Sequence, residues 1–126
     1  MLFQWLIVAS IVALVATSLV HSVGGEIYLL RPLFKHRGNR VLDHSLARMV
    51  LRFVWHVTSV SWLVLAVILY ALAFDEPHLR TVILGGVGLS FSAVGLFDLI
   101  ASRGRHIGWP LLLLTGLFAL AALAYS

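Results

Sequence analysis

The chain has 126 residues, of which 61% are hydrophobic and only 11% charged. A water-soluble domain carries about 25% charged residues because its surface must face water, so this composition excludes an ordinary soluble globule and makes lipid the solvent for most of the surface. The formal net charge is +4 and the pI about 10.4, but the basic residues sit in turns between apolar runs, a pattern of membrane orientation rather than of nucleic-acid binding.

Four apolar runs follow in chain order, at 2–23, 49–74, 81–102 and 107–125. Each is close to the roughly 20 residues that cross a hydrocarbon core about 30 Å thick. Backbone amides cannot stay unpaired in lipid, so the runs are predicted to be helices. The expected fold is all-α: a single-domain integral membrane four-helix bundle. The first run lacks a basic leader and exceeds a signal-peptide core, so it reads as a retained span.

Between the first two runs, Gly24-Gly25 and Arg31-Pro32 are expected to interrupt the helix, and Asp43 to cap the next one. Ile27, Leu30 and Phe34 share a helical face flanked by Arg31, Lys35 and Arg37. That pattern suits either a short segment lying on the membrane surface or a continuation of the first helix. Asp75-Glu76-Pro77 separates the second and third runs, with Pro77 suited to a first helical turn, and Pro110 plays the same part in the fourth.

Orientation follows from Lys and Arg. The first connection and its flank carry Arg31, Lys35, Arg37, Arg40, Arg48 and Arg52, the third carries Arg103 and Arg105, and the second only Arg80. The positive-inside rule puts the first and third connections in the cytoplasm and both termini outside. Trp5, Tyr70 and Tyr125 then lie near the outer interface, and Tyr28 and Trp109 near the inner one. A bacterial inner membrane is the expected location, with Arg31, Lys35, Arg37 and Arg48 meeting lipid head groups.

Ionisable groups within spans are costly unless paired or hydrated, so each marks a functional hypothesis. Here His21, Glu26, Arg52, His56 and Asp98 gather near the cytoplasmic ends of the runs. Arg48, Arg52 and His56 recur at four-residue spacing, and Ser59 extends their stripe. Thr17 and His21 share one face, Ser22 and Glu26 another. Asp98 needs a partner, for which Arg52, His21 or His56 are the expected candidates.

Three functional readings follow. In the first, the cluster handles protons or a small solute, in a channel or transporter formed between protomers, with histidine titration as its gate. In the second, His21, His56, Glu26 and Asp98 hold a divalent metal, or two imidazoles hold haem b, with redox, lipid or quinone chemistry to follow. Because cysteine is absent, no thiolate-ligated cofactor belongs here. In the third, the chain is an accessory subunit whose cluster only locks helices. Gly85, Gly88, Ser92 and Gly95 form a small-residue face suited to a homo-oligomer or a partner membrane subunit. No nucleophile elbow, no phosphate-binding glycine loop and no internal repeat is present, so catalytic residues stay unassigned.

Overall fold

The computed structural model describes all of residues 1–126, and every regular element is helical. The helices are α1, Leu2–Lys35; α2, Ser45–Phe74; α3, Leu79–Ser102; and α4, Trp109–Ala124. The first two, and α3 together with the 3₁₀ turn Glu76–His78 before it, are long and apolar enough to cross a membrane. At 16 residues, α4 spans about 24 Å. Pro77 and Pro110 open their helical turns as expected, where the missing N–H has no intrahelical partner to lose.

The first helix differs from its expected form. It is not interrupted at Gly24-Gly25 or at Arg31-Pro32 but continues to Lys35, with π-helical turns at Val20–Gly24 and Glu26–Leu30. Pro32 falls in the first turn of the closing α segment, so it does not break the ladder. The segment with Ile27, Leu30 and Phe34 therefore prolongs the helix instead of turning along a surface. His36 ends it with an extended backbone.

Asp43 does not cap α2. Its Oδ2 accepts the Gly38 amide at 2.9 Å within the connecting loop. His44 occupies the capping position without a side-chain bond, and the first α2 amides are left without a cap.

The helices pack in chain order, α1 on α2, α2 on α3 and α3 on α4, and no comparable interface joins α1 to α3 or to α4. They form an open row, in which the four helices expected from the sequence pack on their neighbours in the chain. The physical reason lies in what drives each contact. The α3–α4 pair approaches closely because glycines face large side chains: a Cβ at Gly88 would sit 2.6 Å from Leu120 Cδ2, and one at Gly95 would sit 2.6 Å from the Leu113 amide nitrogen. The α1–α2 pair is joined by polar bonds. The remaining faces are mostly apolar, and their Ser10, Thr58, Ser61 and Thr115 hydroxyls bond carbonyls of their own helices, so no polar contact closes the row. Only 11 of 126 residues are buried, as such a row requires.

Candidate functional site

The α1–α2 interface is a ladder of polar side chains. On α1, Ser18, Ser22 and Glu26 follow at four-residue spacing, and on α2 they meet Ser59, His56 and Arg52. At the deep end, the buried Ser18 hydroxyl donates to the Leu14 carbonyl at 2.8 Å and reaches the Ser59 carbonyl at 3.3 Å. The Ser22 hydroxyl donates to the Ser59 hydroxyl at 2.8 Å, and His56 Nδ1 lies 3.0 Å from Ser22 Oγ.

Glu26 ends the ladder. Arg52 approaches it side-on, with Nη2 3.0 Å from Oε1 and Nε 3.1 Å from Oε2. Arg31 Nε lies 3.4 Å from Oε1, and His56 Nε2 lies 3.4 Å from Oε2. Both carboxylate oxygens are therefore shared, and the fork of Arg52 matches the carboxylate plane as lysine could not. The Arg52 guanidinium also lies 5.1 Å from the centroid of Phe34, which the uninterrupted α1 brings into place.

His21 is not part of this ladder. Its ring stacks on Trp55 with centroids 4.2 Å apart and planes 6° apart, and meets Trp62 edge-on at 4.9 Å. Its Nε2 donates to the Trp55 carbonyl at 3.2 Å, and Trp55 Nε1 donates back to the His21 carbonyl at 2.8 Å. Gly25 makes that contact feasible, because a Cβ there would overlap the Trp55 indole.

Asp98 also stands apart. It is fully buried, and its Oδ2 accepts His106 Nδ1–H at 2.6 Å. Its expected partners, Arg52, His21 and His56, are all on other contacts, because Asp98 lies on the α3–α4 side of the row. Asp98 Oδ1 and the Ser102 hydroxyl, one turn on, are buried without a protein partner.

The sequence cluster thus resolves into three places: Glu26 with Arg31, Arg52 and His56; His21 with two tryptophans; and Asp98 with His106. No three His, Asp or Glu side chains converge as metal ligands, which corrects the expected metal set of His21, His56, Glu26 and Asp98. The rings of His21 and His56, the pair expected for haem b, lie on different neighbours, His21 on Trp55 and Trp62 and His56 on Ser22 and Glu26. Trp55, Trp62 and Ser18 are the positioning residues that sequence reasoning missed. The Ser18-Ser22-Glu26 spacing was a readable signal for one of them.

Beside the ladder lies a groove of about 920 Å³ between α2 and α3, roofed at one end by Phe34. Arg48, Arg52, His56 and Ser45 line its polar end, and Phe53, Val57, Val60, Val94 and Phe97 its apolar length. Phe53 and Phe97 stack with centroids 5.6 Å apart. Arg48 also reaches the Asp43 carbonyl at 3.3 Å. Among the other basic residues expected at head groups, Arg31 is held by Glu26, while Lys35 and Arg37 are exposed at and beyond the end of α1.

Fold and site together define a class: a four-helix protein with three helices apolar and long enough to cross a membrane, an internal polar ladder and an amphipathic lateral groove. Compared with family models, curated proteins and solved structures, the chain matches none.

Proposed function

We propose that this chain is an integral membrane protein that binds an anionic lipid of the cytoplasmic leaflet in the groove between α2 and α3. The observation that carries this reading is the groove's polarity. Its size is within the range of about 300–1,000 Å³ typical of ligand sites. Two arginines, a histidine and Ser45 stand at one end, and apart from Ser90 the remaining walls are aliphatic and aromatic. The uncapped N-terminus of α2 opens at that same end through Ser45, adding amide donors and the positive end of the helix dipole.

Charge complementarity selects the occupant. Arg31, Arg52 and Glu26 form a paired group, whereas Arg48 has only a neutral carbonyl as its partner. The polar end keeps a net positive charge even with His56 neutral. The open row leaves the apolar length accessible from the side, as entry from a bilayer requires. The positive-inside rule supports placing this end at the cytoplasmic leaflet, where anionic lipids concentrate.

Native mass spectrometry of the protein released from membranes of mixed phosphatidylglycerol and phosphatidylcholine tests the proposal. The expected result is retained phosphatidylglycerol, lost in Arg48→Gln. Equal retention of both lipids, or retention unchanged in Arg48→Gln, sinks it.

The proton- or solute-handling reading has a narrower basis in the hydroxyl ladder, which runs from Glu26 to Ser18. The eight steps from Ser18 to Glu26 rise about 12 Å along the helix, less than half of a bilayer core. The ladder is therefore better suited to holding a proton than to conducting one across.

A further inference from the structure

We propose that the groove binds its anionic head group together with a proton held on His56. This rests on the lipid-binding reading above and specifies how that site is regulated.

His56, like Arg52, is shared by groove and ladder. It lines the groove's polar end, while its two ring nitrogens reach Glu26 Oε2 and Ser22 Oγ. The Glu26 carboxylate, paired with two guanidinium groups, can only accept, so His56 Nε2 carries a hydrogen in either charge state. The state is therefore decided at Nδ1, and hence by the direction of the serine chain.

In one of the two possible directions, Ser22 donates its single hydroxyl hydrogen to Ser59. Nδ1 must then donate to Ser22, and His56 is an imidazolium. If both hydroxyls turn, Ser59 donates to Ser22 and Ser22 to Nδ1, and the ring is neutral. Each serine hydroxyl carries one rotatable hydrogen and accepting lone pairs, so both directions satisfy Nδ1 and Ser22. The ladder accommodates either charge on His56 without leaving a ring nitrogen unpaired. Imidazole is also the side chain whose charge ordinarily changes between about pH 5 and 8.

The charged neighbours of His56 are few. From α1 it meets Glu26, itself bound by Arg31; from α2, Arg52 and, along the groove, Arg48. From α3 the groove is lined by Ser90, Ala93, Val94 and Phe97, none of which titrates. Glu26 shares its charge with two arginines, so the polar end holds no unshared negative charge of its own. A phosphate at Arg48 and Arg52 supplies that charge. Head group and proton then favour each other, and by linkage the favour is reciprocal. Affinity is greatest on the acid side and falls as pH rises.

The test uses full-length protein in a zwitterionic detergent, titrated with short-chain phosphatidylglycerol, a phosphodiester whose charge is constant across the range. Wild type is expected to bind about tenfold more tightly near pH 5.5 than near pH 8. Calorimetry in buffers of different ionisation enthalpy is expected to read net uptake of up to about one proton per lipid bound. His56→Gln, which keeps an amide donor toward Glu26, is expected to bind with neither pH dependence nor proton uptake. Wild-type binding that is the same at both pH values, or a His56→Gln variant that keeps the full dependence, overturns the inference and leaves the lipid site standing. Absence of phosphatidylglycerol binding at every pH overturns both. Should His56→Gln not fold, proton uptake by wild type decides alone, and its absence overturns the inference.

Discussion

Arg52 and Glu26 meet as a side-on pair across the α1–α2 interface, two nitrogens to two oxygens at 3.0 and 3.1 Å. That single contact couples the packing of the helices to the electrostatics of the groove, because Arg52 also lines the groove. Removing the carboxylate therefore has opposite consequences for stability and for binding.

Glu26→Gln is expected to lower stability by about 1 kcal/mol, a modest figure because Arg52 is half exposed and its charge is screened. The same variant frees positive charge at the groove and is expected to tighten phosphatidylglycerol binding by about 1 kcal/mol, roughly fivefold. Thermal unfolding followed by circular dichroism and a lipid titration read the two effects separately. Losing both stability and binding would show that Glu26 only shapes the site.

Adjacent glycines on α1 are expected to behave differently. A Cβ at Gly24 meets only Val20 Cγ1 at 4.0 Å, whereas one at Gly25 overlaps Trp55. Gly24→Ala should be neutral or stabilise the helix by up to about 1 kcal/mol. Gly25→Ala should cost about 1–3 kcal/mol by displacing the indole from the His21 carbonyl. Melting temperature and tryptophan emission check this, and equal behaviour of the two variants would refute the role given to Gly25.

The α3–α4 contact makes a similar distinction. Gly116→Ala places a methyl against the Ser92 backbone and hydroxyl, while Gly85→Ala meets only Leu123 Cδ2 at 4.0 Å. The first is expected to destabilise by about 1–3 kcal/mol or more and the second to leave stability nearly unchanged, as read by unfolding in detergent.

Asp98 holds the α3–α4 turn through His106. Asp98→Ala removes a bond to a fully buried carboxylate and is expected to cost about 1.5–3 kcal/mol. Asp98→Asn keeps an oxygen that can accept from Nδ1–H and should recover most of that loss. Comparable losses in both variants would mean that charge, not the hydrogen bond, fixes the turn.

Orientation is open to direct measurement, because the chain contains no cysteine. Single substitutions Arg37→Cys and Arg105→Cys are expected to react with an impermeant thiol reagent only from the cytoplasmic side. Glu76→Cys is expected to react only from the opposite side. Labelling of all three from one side would contradict four spans.

By itself the sequence determined the helices, because apolar runs of this length pair their backbone amides most fully within a single helix. Their ends beside Pro77 and Pro110 were legible too, and so was the need of Glu26 and Arg52 for partners, since charged groups in apolar runs require them. What only the tertiary structure decided was which partners they take. Helical spacing fixes the face of a side chain but not the rotation of one helix against another. That rotation sends Asp98 to His106 and His21 to the tryptophans, and leaves Glu26 to Arg52 and His56. It also depends on small steric permissions, such as the missing Cβ of Gly25, that periodicity does not reveal.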